Sequence, residues 1–256
     1  FFPESPERPK MVDGWLASPP AGKREIDRLA GFIADEVKRG QVKRELTLRE
    51  MRAALAQKEK RYDIVAEEMG VLAAKGETAK REEFTYNQAR AYYELKEYSK
   101  ALPLFEALSE IKGEKYVPST FAIQSLHLSL DILGQQKQYD RVAARGSQWI
   151  RHPDYQKWML IIPKHRQDLA DLGKIVDEAK FERASTSAEK QGSLAAFLEM
   201  CQQGRLKPQS CDNAKVLAAQ QKNQPALIAV LKIQGQKDDL AREYEASGMW
   251  LEAAAM

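Results

Sequence analysis

The chain has 256 residues, of which 43% are hydrophobic and 30% are charged, a balance typical of a soluble helical protein with one extended repeat domain or two small domains. Lysine and arginine (40 residues) barely outnumber aspartate and glutamate (37), and the signs alternate along the chain, which indicates solvated helix faces and excludes a nucleic-acid groove from the expected functions. Apolar runs such as 158–162 are far too short to cross a bilayer, so no direct membrane span is expected.

The first 22 residues hold five of the eleven prolines and show little periodicity. They predict an extended proline-rich arm over 1–22, which is either laid on the body of the protein or a flexible leader. The chain opens at Phe1 without an initiator methionine, which fits either a processed end or a truncated chain.

Helical periodicity begins at Lys23. One apolar stripe predicts a helix that ends at Gly40, and its members are Ile26, Leu29, Ile33 and Val37. Thr47 and Glu50 have the spacing of a capping box, which predicts that the next helix begins there with an apolar face of Leu48, Met51 and Leu55.

A five-residue pattern then recurs three times: tyrosine, a small polar residue, any residue, a small apolar residue and an apolar residue. The copies are 62–66, 98–102 and 139–143, so their tyrosines are 36 (98 − 62) and 41 (139 − 98) residues apart. Each copy has a helical stretch before and after it, which predicts a series of helical hairpins. In the third copy, the segment 134–138 predicts a turn about two residues longer than the others.

The central stretch 84–115, FTYNQARAYYELKEYSKALPLFEALSEIKGEK, closely resembles a tetratricopeptide repeat (TPR), a hairpin of two antiparallel helices. Ala91, Tyr92 and Leu95 match the inner face of the first helix, and Ser99 is the expected N-cap of the second. After the turn, the positions that match the hairpin core are Tyr98, Ala101 and Phe105. The resemblance implies an all-α fold, a right-handed α-solenoid of TPR-like hairpins over 23–160.

The resemblance also implies where a partner binds. In this family the first helix of each hairpin lines a concave surface that commonly takes an extended peptide or a partner helix. The candidate partner-binding positions on the expected helices 83–95 and 120–133 are Asn87, Arg90, Glu94, Gln124 and His127.

After Pro153 the register is lost, and residues 161–256 predict further degenerate helical repeats. Pro163 is expected to break or kink a helix. The last residues, 247–254, resemble the turn and second helix of another hairpin. We expect the repeats to continue beyond the end of the chain, or a partner to cap them.

The two cysteines, Cys201 and Cys211, bracket a turn between two predicted helices, where a disulfide is geometrically feasible. A bridge implies an oxidising compartment; the alternative is a pair of ordinary cytosolic thiols. The three histidines lie far from both cysteines in sequence, so no metal site or cofactor is expected. No catalytic motif or phosphate-binding loop is recognisable, and the aromatic cluster Trp149, Tyr155 and Trp158 is interpreted as core packing rather than a ligand cage.

Two classes of function follow. The first is a non-enzymatic protein–protein interaction scaffold, a structural or assembly component of a bacterial cell-envelope complex on the periplasmic or extracellular side. The second is a cytosolic TPR-like adaptor that binds short peptides or a partner helix. An enzyme with a helical regulatory domain would carry its chemistry outside these residues.

Overall fold

The computed structural model describes residue 14 and residues 23–187, 193–203 and 207–255, and the arm predicted at 1–22 lies outside these ranges apart from Gly14. The described residues form α-helices and two short 3₁₀ turns, Thr78–Lys80 and Pro163–His165, without a strand, so the predicted all-α class is confirmed for them. They fall into two compact units that divide between Ile132 and Leu133. The domain boundary expected at 160/161 stays a prediction.

The first unit contains the first five helices and most of the sixth. They are α1 (Lys23–Lys38), α2 (Val42–Lys58), α3 (Tyr62–Lys75), α4 (Arg81–Glu94), α5 (Tyr98–Leu108) and α6 (Thr120–Gln135). Each of the first four packs against the next in the chain.

The second unit begins in the last turn of α6 and, within the described ranges, contains eight further helices. They are α7 (Tyr139–Ile150), α8 (Tyr155–Ile161), α9 (Arg166–Ser187), α10 (Ser193–Gln203), α11 (Lys207–Gln220), α12 (Gln224–Gln234), α13 (Lys237–Ala246) and α14 (Trp250–Ala254). As predicted, Pro163 separates two helices, α8 and α9. Helix α7 packs directly on α9.

Seven helix-to-helix turns in the described ranges share one geometry. In each, a residue with φ between 52° and 72° stands two positions before the next helix, and the following N–H donates to the carbonyl five residues earlier. This pattern is a Schellman motif, which satisfies carbonyls that the helix end leaves without partners. The left-handed residue is glycine at 40, 235 and 248 and lysine at 60, 96, 137 and 222.

These turns correct three local predictions. The turn at Lys137 has the same hydrogen bonds as the turn at Lys96, so the third hairpin turn is not lengthened. The turn at Gly40 leads directly into α2 at Val42, so Thr47 lies inside that helix and its hydroxyl donates to the Lys43 carbonyl instead of capping. Likewise α5 begins at Tyr98, one residue before the expected N-cap Ser99.

The hairpin of α4 and α5 buries most of the positions that the TPR resemblance identified. Ala91, Ala101 and Phe105 are buried and Tyr98 is half-buried, because helical spacing places them between the two helices. Leu95 is exposed, contrary to expectation, since it lies at the C-cap of α4 where the chain turns away.

A network of charged side chains is buried beneath α1, α2 and α3. Glu68 on α3 accepts hydrogen bonds from both Arg49 and Arg52 on α2, the Arg49 bond being 2.6 Å long. Arg49 also donates to Glu45 over 2.8 Å, and Arg52 donates to the Ile26 carbonyl of α1 over 3.2 Å. Two cations and two carboxylates therefore compensate one another inside the first unit.

The aromatic cluster of the second unit is a core. Trp149 and Trp158 are buried with ring centroids 5.6 Å apart, and the His152 ring stacks on Trp158 at 4.4 Å. The Tyr155 hydroxyl donates to the Leu169 carbonyl, which ties α8 to α9. Because Trp149, Tyr155 and Trp158 are buried and their rings pack against one another, the interpretation of this cluster as core packing is confirmed.

Cys201 and Cys211 form a disulfide that joins α10 to α11 with their Cα atoms 4.9 Å apart. Both cysteines are buried among Phe197, Met200 and Ala214. Cys211 lies in the second turn of α11, because that helix begins at Lys207, so this cysteine is not at the helix start that the sequence analysis implied.

Candidate functional site

Helices α4 and α6 lie side by side in the first unit and run in the same direction. Near their starts the Ser119 hydroxyl donates to Glu82 over 2.6 Å, and near their ends the Tyr93 hydroxyl donates to Asp131 over 2.6 Å. Between these contacts the rings of Tyr86 and Phe121 are 5.3 Å apart. The two hydrogen bonds join residues 37 and 38 apart in sequence, one pair near the starts and one near the ends, so the two helices are parallel.

The five predicted partner-binding residues lie on this helix pair in two sets. Arg90 and Glu94 are exposed and Asn87 is half-buried on α4, at spacings that place all three on one side of the helix. Gln124 and His127 are half-buried one turn apart on α6. The structure thus places the two sets on neighbouring parallel helices.

The charges of the α4 set partly cancel. Arg90 Nε lies 4.0 Å from Glu94 Oε1, and both side chains face solvent. Burial raises the pKa of Tyr86, while the nearby positive charge of Arg90 opposes that rise. An exposed pair of this kind contributes little to stability, which leaves both groups available to a partner.

A cavity of about 450 Å³ opens elsewhere on the first unit, and sequence reasoning did not find it. It lies between the start of α4, the end of α5 and the connection 109–119. Its lining residues are Thr78, Arg81, Glu82, Thr85, Ala107, Leu108, Lys112, Tyr116, Val117 and Ser119. No sequence motif marks it, because its lining comes from three segments that only tertiary packing brings together.

Several polar groups that line this cavity form hydrogen bonds with neighbouring protein groups. Ser119 Oγ accepts from the Ala122 N–H over 3.0 Å, as an N-cap of α6, while its hydrogen is donated to Glu82. The Thr85 hydroxyl donates to the Arg81 carbonyl over 2.8 Å. Burial, and secondarily the negative charge of Glu82, raises the pKa of Tyr116 to about 12, so its phenol remains protonated at neutral pH.

Of the three histidines, His165 is paired with a carboxylate of the next helix. His165 Nδ1 is 2.7 Å from Asp168 Oδ2, and the residue is only 4% exposed. Within the described ranges, no three histidine, cysteine, aspartate or glutamate side chains are grouped as metal ligands would be. None of the described helices combines the length and the apolar composition needed to span a membrane.

No family model matches this chain, and no curated protein is significantly similar to it.

Proposed function

We propose that this protein is a non-enzymatic interaction scaffold, built as a right-handed α-solenoid of TPR-like hairpins, and that it holds subunits of a bacterial cell-envelope assembly together. The observation that carries the proposal is the parallel pairing of α4 and α6. In a solenoid each hairpin stacks on its neighbour in this way, and the first helices together line a continuous surface.

The recurrence of one turn geometry supports the same architecture. The tyrosine markers of the sequence, Tyr62, Tyr98 and Tyr139, each stand at the first position of a helix, two residues after a left-handed lysine. The same residue type at the same place after the same turn, three times along the chain, supports a repeat architecture.

The disulfide supports an envelope location over a cytosolic one. Structural disulfides persist in oxidising compartments such as the periplasm, and cytosolic thiols are normally kept reduced. Cys201 and Cys211 are both fully buried, so the bridge is part of the core of the second unit rather than a surface cross-link.

The partner surface is the face of α4 and α6 that carries Asn87, Arg90, Glu94, Gln124 and His127. A mixed surface of amide, cationic, anionic and imidazole groups suits the backbone and polar side chains of an extended peptide or a partner helix. Its charges do not favour a strongly acidic or a strongly basic partner, because Arg90 is balanced by Glu94.

The proposal is tested by affinity capture from the native source with the intact chain as bait and mass spectrometry of the retained proteins. A paired variant, Arg90→Glu with Gln124→Arg, changes the proposed surface without touching the core. We expect it to lose the partner that the unmodified chain retains.

Lys174→Glu is the matched control, because Lys174 is an exposed lysine of the second unit. It should retain the partner. Equal capture by both variants and the unmodified chain would contradict the proposed surface, and capture that requires free thiols would favour the cytosolic adaptor.

A further inference from the structure

The cavity between α4, α5 and the 109–119 connection carries a charge pattern that the proposed scaffold function does not use. Arg81 and Lys112 both line it and both are exposed. Across the described ranges, neither cation has a carboxylate within ion-pair distance. The carboxylate of the lining, Glu82, is already engaged by the Ser119 hydroxyl.

The rest of the lining divides into donors and an apolar surface. Thr78 and Tyr116 add hydroxyl groups, and Ala107, Leu108 and Val117 supply aliphatic contact. Pockets of a few hundred Å³ with apolar walls and a few convergent polar groups are the usual form of small-ligand sites. The volume of about 450 Å³ fits a ligand of amino-acid or short-peptide size.

We propose that this cavity binds a carboxylate carried on a short aliphatic stem. The guanidinium of Arg81 and the ammonium of Lys112 hold the carboxylate by charge-assisted hydrogen bonds, which are stronger than neutral ones. The stem packs against Ala107, Leu108 and Val117. Tyr116, whose phenol stays protonated, also lines this space.

This site is separate from the partner surface. Arg81 and Arg90 are nine residues apart on α4, which at 100° per residue places them on opposite sides of the helix. The inference therefore stands or fails independently of whether the α4 and α6 face binds a protein.

The experiment is a titration of the full ¹⁵N-labelled chain, at constant ionic strength, followed by the amide resonances of Gly113, Tyr116 and Ser119. Three probes are compared: butanoate as a free short acid, the α-amide of N-acetylglutamate as a peptide-like side chain, and N-acetylglutamine amide as the neutral analogue. We expect both carboxylates to shift these resonances and the neutral analogue to leave them in place.

The relative affinities of the two carboxylates identify the source of the ligand. Tighter binding of butanoate indicates a free small acid, and tighter binding of the glutamate derivative indicates an acidic side chain of a peptide. Equal shifts from the neutral analogue would overturn the proposal, as would the absence of any shift at the highest soluble concentration.

Variants distinguish a specific contribution of Arg81 and Lys112 from a general effect of the protein's positive charge. Arg81→Gln combined with Lys112→Gln should weaken carboxylate binding by about tenfold or more, since a hydrogen bond to a charged group is worth at least that factor. Lys100→Gln and Lys115→Gln are the matched controls, since they remove an exposed charge from α5 and from the same connection without lining the cavity. If the control pair weakens binding as much as the test pair, the site is not this cavity. Unchanged circular dichroism in both pairs verifies that the fold is retained.

Discussion

At the scale of single residues, the most consequential feature is Glu68. Its side chain is 0% exposed, and it accepts from Arg49 and Arg52, which are themselves only 13% exposed. Burial opposes the charge on Arg49, while its hydrogen bonds to Glu68 and Glu45 favour that charge, and the net result is a raised arginine pKa. Removing one member of such a group leaves the others buried without compensation.

We therefore predict that Glu68→Gln lowers the free energy of unfolding of the first unit by about 3 kcal/mol or more, because two arginines then lose their charged acceptor. The measurement is urea denaturation followed by circular dichroism, with amide hydrogen exchange of α2 and α3 to locate the loss.

The neighbouring Glu67 provides the control. It is 65% exposed and 3.9 Å from Arg52, so Glu67→Gln should change the free energy of unfolding by no more than about 0.5 kcal/mol. If the two substitutions cost the same, the buried network does not stabilise the packing of α2 on α3.

At the scale of helices and turns, the left-handed lysines carry a conformational cost. An L-residue other than glycine pays roughly 1–2 kcal/mol in this region, whereas glycine pays mainly through the entropy of the unfolded chain. Lysine is tolerated because its positive charge is favourable beside the negative end of the helix dipole.

Lys96→Gly is accordingly expected to raise the free energy of unfolding by about 0.5 kcal/mol, the small net difference between relieved strain and added chain entropy. Ser99→Gly, three residues on in the first turn of α5, should lower it by up to about 0.5 kcal/mol, because glycine has the lower helix propensity. Opposite signs in parallel denaturation curves check the geometry of the turn, and a loss of stability from Lys96→Gly would contradict it.

Substitutions at two helical glycines are expected to change the free energy of unfolding of the second unit in opposite directions. A Cβ added at Gly146 of α7 would overlap the Val176 side chain of α9, whereas one added at Gly134 of α6 would meet nothing within 4 Å. Val176 is buried and β-branched, so it has no free rotamer into which to withdraw.

We expect Gly146→Ala to reduce the free energy of unfolding by about 1–3 kcal/mol through overpacking. Gly134→Ala should increase it by up to about 1 kcal/mol through helix propensity. Tryptophan fluorescence reports the result, because Trp149 lies in the same helix as Gly146. Partial recovery in Gly146→Ala combined with Val176→Ala would verify that the Val176 methyl is the clashing group.

At the scale of the whole molecule, the disulfide bears on both the stability of the protein and the compartment in which it folds. In the chain-entropy model, closing a loop of this size stabilises the folded state by about 3 kcal/mol. Reduction of the intact protein should lower the stability of the second unit by that amount. The same reductant should leave the double variant Cys201→Ala with Cys211→Ala unchanged, and an effect on that variant would show that the loss does not arise from the bridge.

The redox state in the native compartment decides between the two proposed settings. Intact mass after alkylation under denaturing conditions, without reductant, counts the free thiols in protein taken from its source. An oxidised pair is expected for an envelope component. Two alkylated thiols would remove that support and favour the cytosolic adaptor, without affecting the helical architecture.

Much of the local structure was predictable because it depends on spacing along the chain. Apolar residues at intervals of three and four, as in Ile26, Leu29 and Ile33, define a buried helix face wherever the helix packs. Val37 continues the same stripe in the last turn of α1 yet is exposed, so the stripe by itself does not fix which of its members are covered. The tyrosines of the recurring pattern likewise lie at helix starts, because the same turn precedes each copy of the pattern.

The sequence by itself therefore determined the helical class, the positions of most helices and the hairpin at 84–112. Only the tertiary structure decided the bonding of Glu68 to Arg49 and Arg52, the parallel pairing of α4 with α6, and the cavity beside Tyr116. Each of these joins groups that are distant in the chain. Such contacts are selected by the packing of whole helices, and no periodicity along the chain records them.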